Sequence, residues 1–166
     1  LTWSPIECKV NGKPCVLGAA TGAIAGLAAV TPASGFIGPE GGLAIGFASG
    51  LISYFASTTV HNRFAYDDSL DVVGVHGVGG FIGVVMVAFI ASESLGGGGY
   101  EGGADAGMAG QLKAQLIGGG VTIVYTLVAS IAVFWVIDKM VGLRVSDKDE
   151  EQGLDLAEHA ETGYSL

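Results

Sequence analysis

The sequence predicts an all-α membrane protein with four transmembrane helices. Half of the 166 residues are hydrophobic, the mean hydropathy is +0.57, and only 14% of the residues are charged, whereas soluble domains carry about 25% charged residues. Four stretches are long and apolar enough to span a bilayer, which takes about 20 such residues. Four buried helices in one small soluble domain are the alternative, and the length of the stretches argues against them.

The predicted spans cover residues 15–37, 41–60, 72–92 and 116–137, so that residues 1–137 form a transmembrane region and residues 138–166 an acidic tail. Pro32 should kink or end the first helix. The glycine-rich segment 93–115 is expected to be a flexible external connection. The 29 glycines of the chain suit closely packed membrane helices. Several recur every four residues and predict helix contacts: Gly18, Gly22 and Gly26; Gly42, Gly46 and Gly50; Gly79 and Gly83.

Basic residues predict the orientation, because Lys and Arg in short loops favour the cytoplasmic side. Four spans place six of the seven on the side of both termini and Lys113 alone on the other side. The tail is therefore expected to be cytoplasmic. It carries eight of the sixteen acidic residues, and it is either a solvated segment or a docking segment. The scattered basic residues form no patch for nucleic acid, and Cys8 and Cys15 lack the spacing of a metal site.

His76 is the one ionisable residue well inside a predicted span. Ionisable groups in a membrane are costly, so a functional role is the first hypothesis, with a hydrogen-bonded packing histidine as the alternative. Asp71, five residues earlier, is predicted to cap the exposed N–H groups at the start of the same helix. No cofactor is predicted, since a membrane haem site would use paired histidines and the HExxH motif of a metalloprotease is absent.

Three motifs resemble the ammonium transporter family in their order and spacing. They are DDSLDVVGVHGVGG at 67–80, GAIAGLAAVTPA at 22–33, and a tail pattern that runs from VGLRVS at 141–146 through GLDL at 153–156 to Tyr164. The family fold implied by the resemblance has eleven spans per protomer and forms homotrimers with one pore in each protomer. This chain corresponds to the last four spans, the C-terminal portion, and Leu1 is not a methionine. We expect the N-terminal spans, with a first pore histidine, to be missing.

The resemblance also implies roles for single residues. His76 matches the second histidine of the pore pair, Ile24 and Val72 match apolar positions that line the lumen, and Thr31 matches a position near the outer mouth. The family often has Phe where Val73 stands and Gly where Ala160 stands. Plant members carry a regulatory Thr at the position of Ala157, so that regulation cannot be carried over. The tail pattern implies docking on cytoplasmic loops, with a PII-type regulator as a potential partner.

The chemistry of ammonium fits an apolar lumen that contains a histidine. A bare cation is costly in such a lumen, but ammonium can release a proton and cross as ammonia. A neutral imidazole offers one donor and one acceptor nitrogen, so it can hold ammonia or relay its proton. We therefore expect ammonium or ammonia transport across the cell membrane and no enzymatic activity. The alternative is a non-conducting interaction module or an ammonium sensor of the same family.

Overall fold

The computed structural model of the chain describes residues 1–100 and 107–162. Within these ranges the regular structure is helical throughout. The chain divides into two compact units, Leu1–Gly120 and Val121–Leu166. The predicted all-α class is confirmed, and so is the number of membrane-length helices. The four that are long and apolar enough to cross a bilayer are Val16–Ala33, Pro39–Phe64, Val73–Ile90 and Met108–Met140.

The helices of the first unit follow each other with short connections. They are α1 (Trp3–Asn11), α2 (Val16–Val30), α3 (Pro39–Phe55), α4 (His61–Phe64), α5 (Gly79–Ile90) and the start of α6 (Met108–Met140). Short 3₁₀ turns cover Thr31–Ala33 and Glu93–Leu95. The helical path that begins at Val16 ends at Ala33, four residues before the predicted end at 37. Pro32 explains this, because a proline removes one backbone donor and disfavours further helix.

Two π-helical segments interrupt the long helices. The first, Ala56–Val60, joins α3 to α4, and the second, Val73–Val78, leads directly into α5. A π turn contains more residues than an α turn and therefore shifts the direction of the side chains that follow it. Such turns are common at functional sites. The second segment contains His76.

An apolar core between α2, α3 and α5 stabilises the end of the unit at which α2 finishes and α3 begins. Its buried residues are Ala29, Ala33, Ile45, Val87, Ile90 and Ala91. Small residues let the backbones approach closely, and a β-carbon added to Gly83 would collide with the carbonyl oxygen of Ala29. The predicted contact role of Gly83 is confirmed. A β-carbon added to Gly42 or Gly46, by contrast, would meet no atom within 4 Å in the described structure, although one added to Gly26 would lie 3.9 Å from the Cα of Gly46.

The opposite end of the unit is stabilised by α1, an element that the hydropathy pattern did not reveal. Trp3 packs on Gly22 and lies edge-on to Tyr54, with 5.2 Å between the ring centroids. Glu7 is buried, and its carboxylate accepts hydrogen bonds from the Cys15 amide (3.3 Å) and the Cys15 thiol (3.1 Å). A carboxylate at the start of α2 interacts favourably with the exposed N–H groups there. Glu7 therefore links α1 to the beginning of α2.

Part of the predicted flexible connection has a defined path in the structure. The amide of Gly98 donates to the carbonyl of Phe36 (3.2 Å), and the amide of Gly99 donates to the carbonyl of Ala91 (2.8 Å). The hydroxyl of Tyr100 donates to the carbonyl of Ala88 (2.9 Å). Residues 93–100 thus fold back on the start of α3 and the end of α5. Residues 101–106 lie outside the described ranges, and α6 begins at Met108, eight residues before the predicted span.

The second unit contains the rest of α6 and two short helices, α7 (Asp147–Gln152) and α8 (Leu154–His159). Ser146 caps α7, since its hydroxyl accepts from the amide of Asp149 (3.3 Å). The Arg144 guanidinium binds both carboxylate oxygens of Glu150, at 3.0 and 3.1 Å. The tail therefore has local helical structure. Tyr164, part of the predicted tail motif, lies outside the described residues.

Ala160 ends α8 in the left-handed backbone region, with φ 53°. An L-residue with a β-carbon is disfavoured there, whereas glycine is not. We expect Ala160→Gly to stabilise the end of α8 by about 1 kcal/mol. Ala157→Gly, inside the same helix, is the matched control and should destabilise it by about 1 kcal/mol. Amide hydrogen exchange in residues 154–160 measures both, and faster exchange in Ala160→Gly would contradict the prediction.

Candidate functional site

His76 lies in the middle of the second π segment, and its side chain is exposed on the surface of this chain. Among the residues that the structure describes, no hydrogen bond to its imidazole is found. Within the described part of this chain, His76 is therefore neither buried nor hydrogen-bonded. An exposed imidazole inside a membrane-length helix can face either a partner helix or a lumen.

The other three predicted pore residues are also exposed. Ile24 is 45% exposed and Val72 is 48% exposed, and Thr31 is exposed while its hydroxyl donates to the carbonyl of Leu27 (2.7 Å). Ile24 and Thr31 are seven residues apart, a spacing that puts both on one face of a helix. Val72 and His76 are separated by about one turn. All four predicted pore residues are thus exposed in this chain.

The buried contact between α2 and the second π segment brings the two sets of residues near each other. Ala25 and Val75 belong to one buried cluster with Trp3. Ile24 directly precedes Ala25, and His76 directly follows Val75. Both Ile24 and His76 are exposed. The contact therefore holds the Ile24 region of α2 beside the His76 region. Thr31 lies about two turns further along, in the 3₁₀ turn that follows α2, near the apolar core that contains Ala29 and Ala33.

Asp68, and not Asp71, caps the helix that carries His76. The two carboxylate oxygens of Asp68 accept hydrogen bonds from the amides of Val72 and Val73, both at 2.8 Å. The predicted capping role of Asp71 is thus wrong in the structure. Asp71 adopts a left-handed conformation (φ 55°), and its carboxylate contacts His61.

Asp71 instead joins the helix start to α4. Its carboxylate lies 3.2 Å from Nδ1 of His61, and the ring of His61 stacks on Tyr66 with 4.8 Å between centroids. The carbonyl of Asp71 accepts from the amide of Val75 (2.8 Å). The contact between His61 and Asp71 thus holds together the two ends of the segment 61–71.

The exchange of roles between Asp68 and Asp71 can be tested. We expect Asp68→Ala to remove both bonds and to cost about 1 kcal/mol at the helix start. Asp71→Asn is the matched control, because asparagine tolerates the left-handed conformation and leaves the cap in place. Hydrogen exchange of the Val72 and Val73 amides should quicken in Asp68→Ala only. Faster exchange in Asp71→Asn alone would restore Asp71 as the cap.

Sequence reasoning missed a polar face beside the site. Ser49, Ser53 and Ser57 recur every four residues, and all three are buried. That period was visible in the sequence, but hydroxyl groups hardly alter the hydropathy of a span. In the described part of the chain, no group of three or more His, Cys, Asp or Glu side chains could hold a metal ion.

Comparison with known sequences gives one consistent result. The sequence profile of the Ammonium Transporter Family matches residues 1–164. A putative ammonium transporter of Methanothermobacter thermautotrophicus is 40% identical over 99% of this chain and 40% of its own length. An ammonium transporter of Bacillus subtilis is 34% identical over 98% of this chain and 40% of its own length. The chain thus spans about 40% of the length of these relatives.

Comparison with solved structures agrees. A protein described as Sensor Amt Protein superposes with a TM-score of 0.80 at 27% identity, over 93% of this chain and 37% of that one. Mep2 of Candida albicans gives a TM-score of 0.72 at 26% identity, over 89% of this chain and 34% of Mep2. The helical arrangement is thus the same as in part of each neighbour.

Proposed function

Because this chain belongs to the ammonium transporter family and is a multi-pass membrane protein, we propose that it forms part of a pore that moves ammonium or ammonia across the cell membrane. The observation that carries the proposal is the exposed His76, set beside exposed apolar residues at the contact of α2 with the second π segment. The imidazole would accept or relay the proton that ammonium releases. Ile24 and Val72 would line an apolar lumen, and Thr31 would lie toward its outer mouth.

The surface of this chain supports a lumen that further helices complete. His76, Ile24 and Val72 are open to the surroundings here, whereas a pore has walls on all sides. Many other apolar side chains are exposed too, for instance Leu27, Phe47 and Ile117. We propose that the remaining spans of an eleven-span protomer cover them, that this chain supplies the last four, and that protomers form homotrimers. We refer to this chain together with those spans as the complete transporter.

Reconstitution into liposomes tests the proposal. Liposomes that contain the complete transporter should take up labelled methylammonium in a saturable manner, with little potassium entering. Liposomes that contain only the 166-residue chain should show no selective flux. Absence of uptake by the complete transporter would refute the transport function. Selective flux through the chain alone would show that four helices enclose the lumen.

The orientation of the tail is part of the same proposal. Six of the seven basic residues support a cytoplasmic tail, and this side would meet a PII-type regulator. Single cysteines at Tyr100 and at Gln152, each in a cysteine-free background, should react with an impermeant reagent from opposite sides of the membrane. We expect Tyr100→Cys to label on intact cells and Gln152→Cys only after lysis. Labelling of both on intact cells would contradict the four-span arrangement.

A sensor is the second candidate, because one structural neighbour is described as Sensor Amt Protein. A sensor would bind ammonium at the same site without carrying it at a useful rate. The liposome measurement separates the two: saturable binding of methylammonium without accumulation inside the vesicles would favour the sensor.

A further inference from the structure

We propose that Ser57 is a positioning residue, which sets the orientation of the His76 imidazole through the close packing of its hydroxyl group on Gly74. The inference rests on the proposed transport role of His76. It begins with the serine face of the second membrane helix, formed by Ser49, Ser53 and Ser57. Residues four apart lie on one face, and all three are buried.

Two glycines on either side of His76 contact this serine face. A β-carbon added to Gly79 would lie 3.3 Å from the hydroxyl oxygen of Ser49 and 3.4 Å from that of Ser53. A β-carbon added to Gly74 would collide with the hydroxyl oxygen of Ser57 and lie 3.0 Å from its amide nitrogen. The helix that carries His76 is therefore fixed to the serines both before and after the histidine.

The two contacts differ in their hydrogen bonds. The hydroxyl of Ser49 donates to the carbonyl of Ala25 (2.8 Å) and lies 3.5 Å from the hydroxyl of Ser53. Ser57 is only 8% exposed, and its hydroxyl finds no partner in the described residues. A buried hydroxyl without a partner opposes folding, and alanine would remove that penalty. Stability therefore does not explain a serine at this position. We infer that the serine is needed for the close packing of its hydroxyl group on Gly74.

The positions of Ser57 and Gly74 in the helices explain why this packing matters. Ser57 lies in the first π segment and Gly74 in the second, so two widened turns meet at this point. A change in the winding of a π turn rotates every side chain that follows it. His76 follows Gly74 by two residues in the same segment. The fit of the Ser57 hydroxyl against Gly74 therefore decides the direction in which the imidazole points.

Three variants of the complete transporter test the inference. Ser57→Ala removes the hydroxyl, and Ser57→Cys keeps a side chain of similar size. Thr58→Val is the matched control from the same π segment, since the hydroxyl of Thr58 donates to the carbonyl of Tyr54 (2.7 Å) and not to the helix of His76. Two quantities are measured: the ratio of methylammonium to potassium flux, and the ¹⁵N NMR signal of His76, identified as the signal lost in His76→Asn.

We expect Ser57→Ala to lower the flux ratio about tenfold, below the roughly 100-fold loss that a 1 Å misplacement of a functional group can cause, and to shift the His76 signal. Ser57→Cys and Thr58→Val should retain the ratio and the signal. Gly74→Ala should also shift the signal, and Ser57→Gly combined with Gly74→Ala should recover part of it, because the added methyl group then has room.

An unchanged flux ratio and His76 signal in Ser57→Ala would overturn the inference. So would a lower yield of folded protein with both quantities unchanged, because Ser57 would then only support the fold. If the wild-type transporter shows no uptake, the proposed function fails, and the His76 signal in Ser57→Ala still decides whether Ser57 orients the imidazole.

Discussion

We expect His76→Leu to lower methylammonium uptake by the complete transporter about 100-fold, the lower end of what a positioned proton-transfer group contributes. Leucine has a similar volume but can neither accept nor donate a proton, so ammonium would have to cross beside an apolar side chain as a cation. His76→Ala leaves a wider lumen as well. In that variant we expect potassium to enter, because the remaining passage no longer selects by proton release.

Uptake of labelled methylammonium and of potassium into liposomes measures both variants. His61→Gln is the control, because an amide can still donate to the carboxylate of Asp71 and so retain the contact between α4 and the start of the His76 helix. It should transport at the wild-type rate. Wild-type uptake and selectivity in both His76 variants would show that the imidazole does not handle the substrate or its proton.

The second large effect is expected at Gly83, where α5 crosses α2. A β-carbon at this position would collide with the carbonyl oxygen of Ala29 and lie 2.8 Å from the carbonyl carbon. These are backbone atoms of a helix, so they cannot turn aside as a flexible side chain would. Gly83→Ala must therefore separate the two helices within the apolar core that contains Ala29. Overpacking of this kind costs about 3 kcal/mol, and Gly83→Leu should prevent folding.

Thermal unfolding of the 166-residue chain in lipid bicelles, followed by circular dichroism, measures this effect. Gly80→Ala in the same helix is the matched control, because an added β-carbon there meets no atom within 4 Å. Alanine also has the higher helix propensity, by about 1 kcal/mol, so this variant should be as stable as the wild type or more stable. Equal melting temperatures for Gly83→Ala and Gly80→Ala would show that α2 and α5 do not approach closely at Gly83.

The sequence alone determined the all-α membrane class, the four spans and the family. Hydropathy is a property of each local stretch, and a helix in a bilayer must satisfy its backbone hydrogen bonds within itself. A run of 20 apolar residues therefore has few alternative structures besides a membrane-spanning helix. His76 stood out for a similar local reason, since an ionisable side chain in such a run is rare and costly. Pro32 marked the end of the first helix through its missing N–H.

Only the tertiary structure decided how these helices meet. Asp67, Asp68 and Asp71 are all close to the start of the His76 helix in sequence, and any of them could have capped it. In the structure, the carboxylate of Asp68 accepts the hydrogen bonds of the helix start, and the carboxylate of Asp71 contacts His61. The burial of Glu7 at the start of α2 likewise depends on how α1 folds back, which a short and mostly polar segment does not reveal.

The π segments and the contact of Ser57 with Gly74 belong to the same class of feature. Helix propensity and hydropathy are nearly the same for an α turn and a π turn, so no local signal separates them. Which form the chain adopts depends on the fit between two neighbouring helices, through side chains and backbone atoms far apart in sequence. The histidine that can bind a proton was thus readable from the sequence, whereas the π segment that carries it was visible only in the structure.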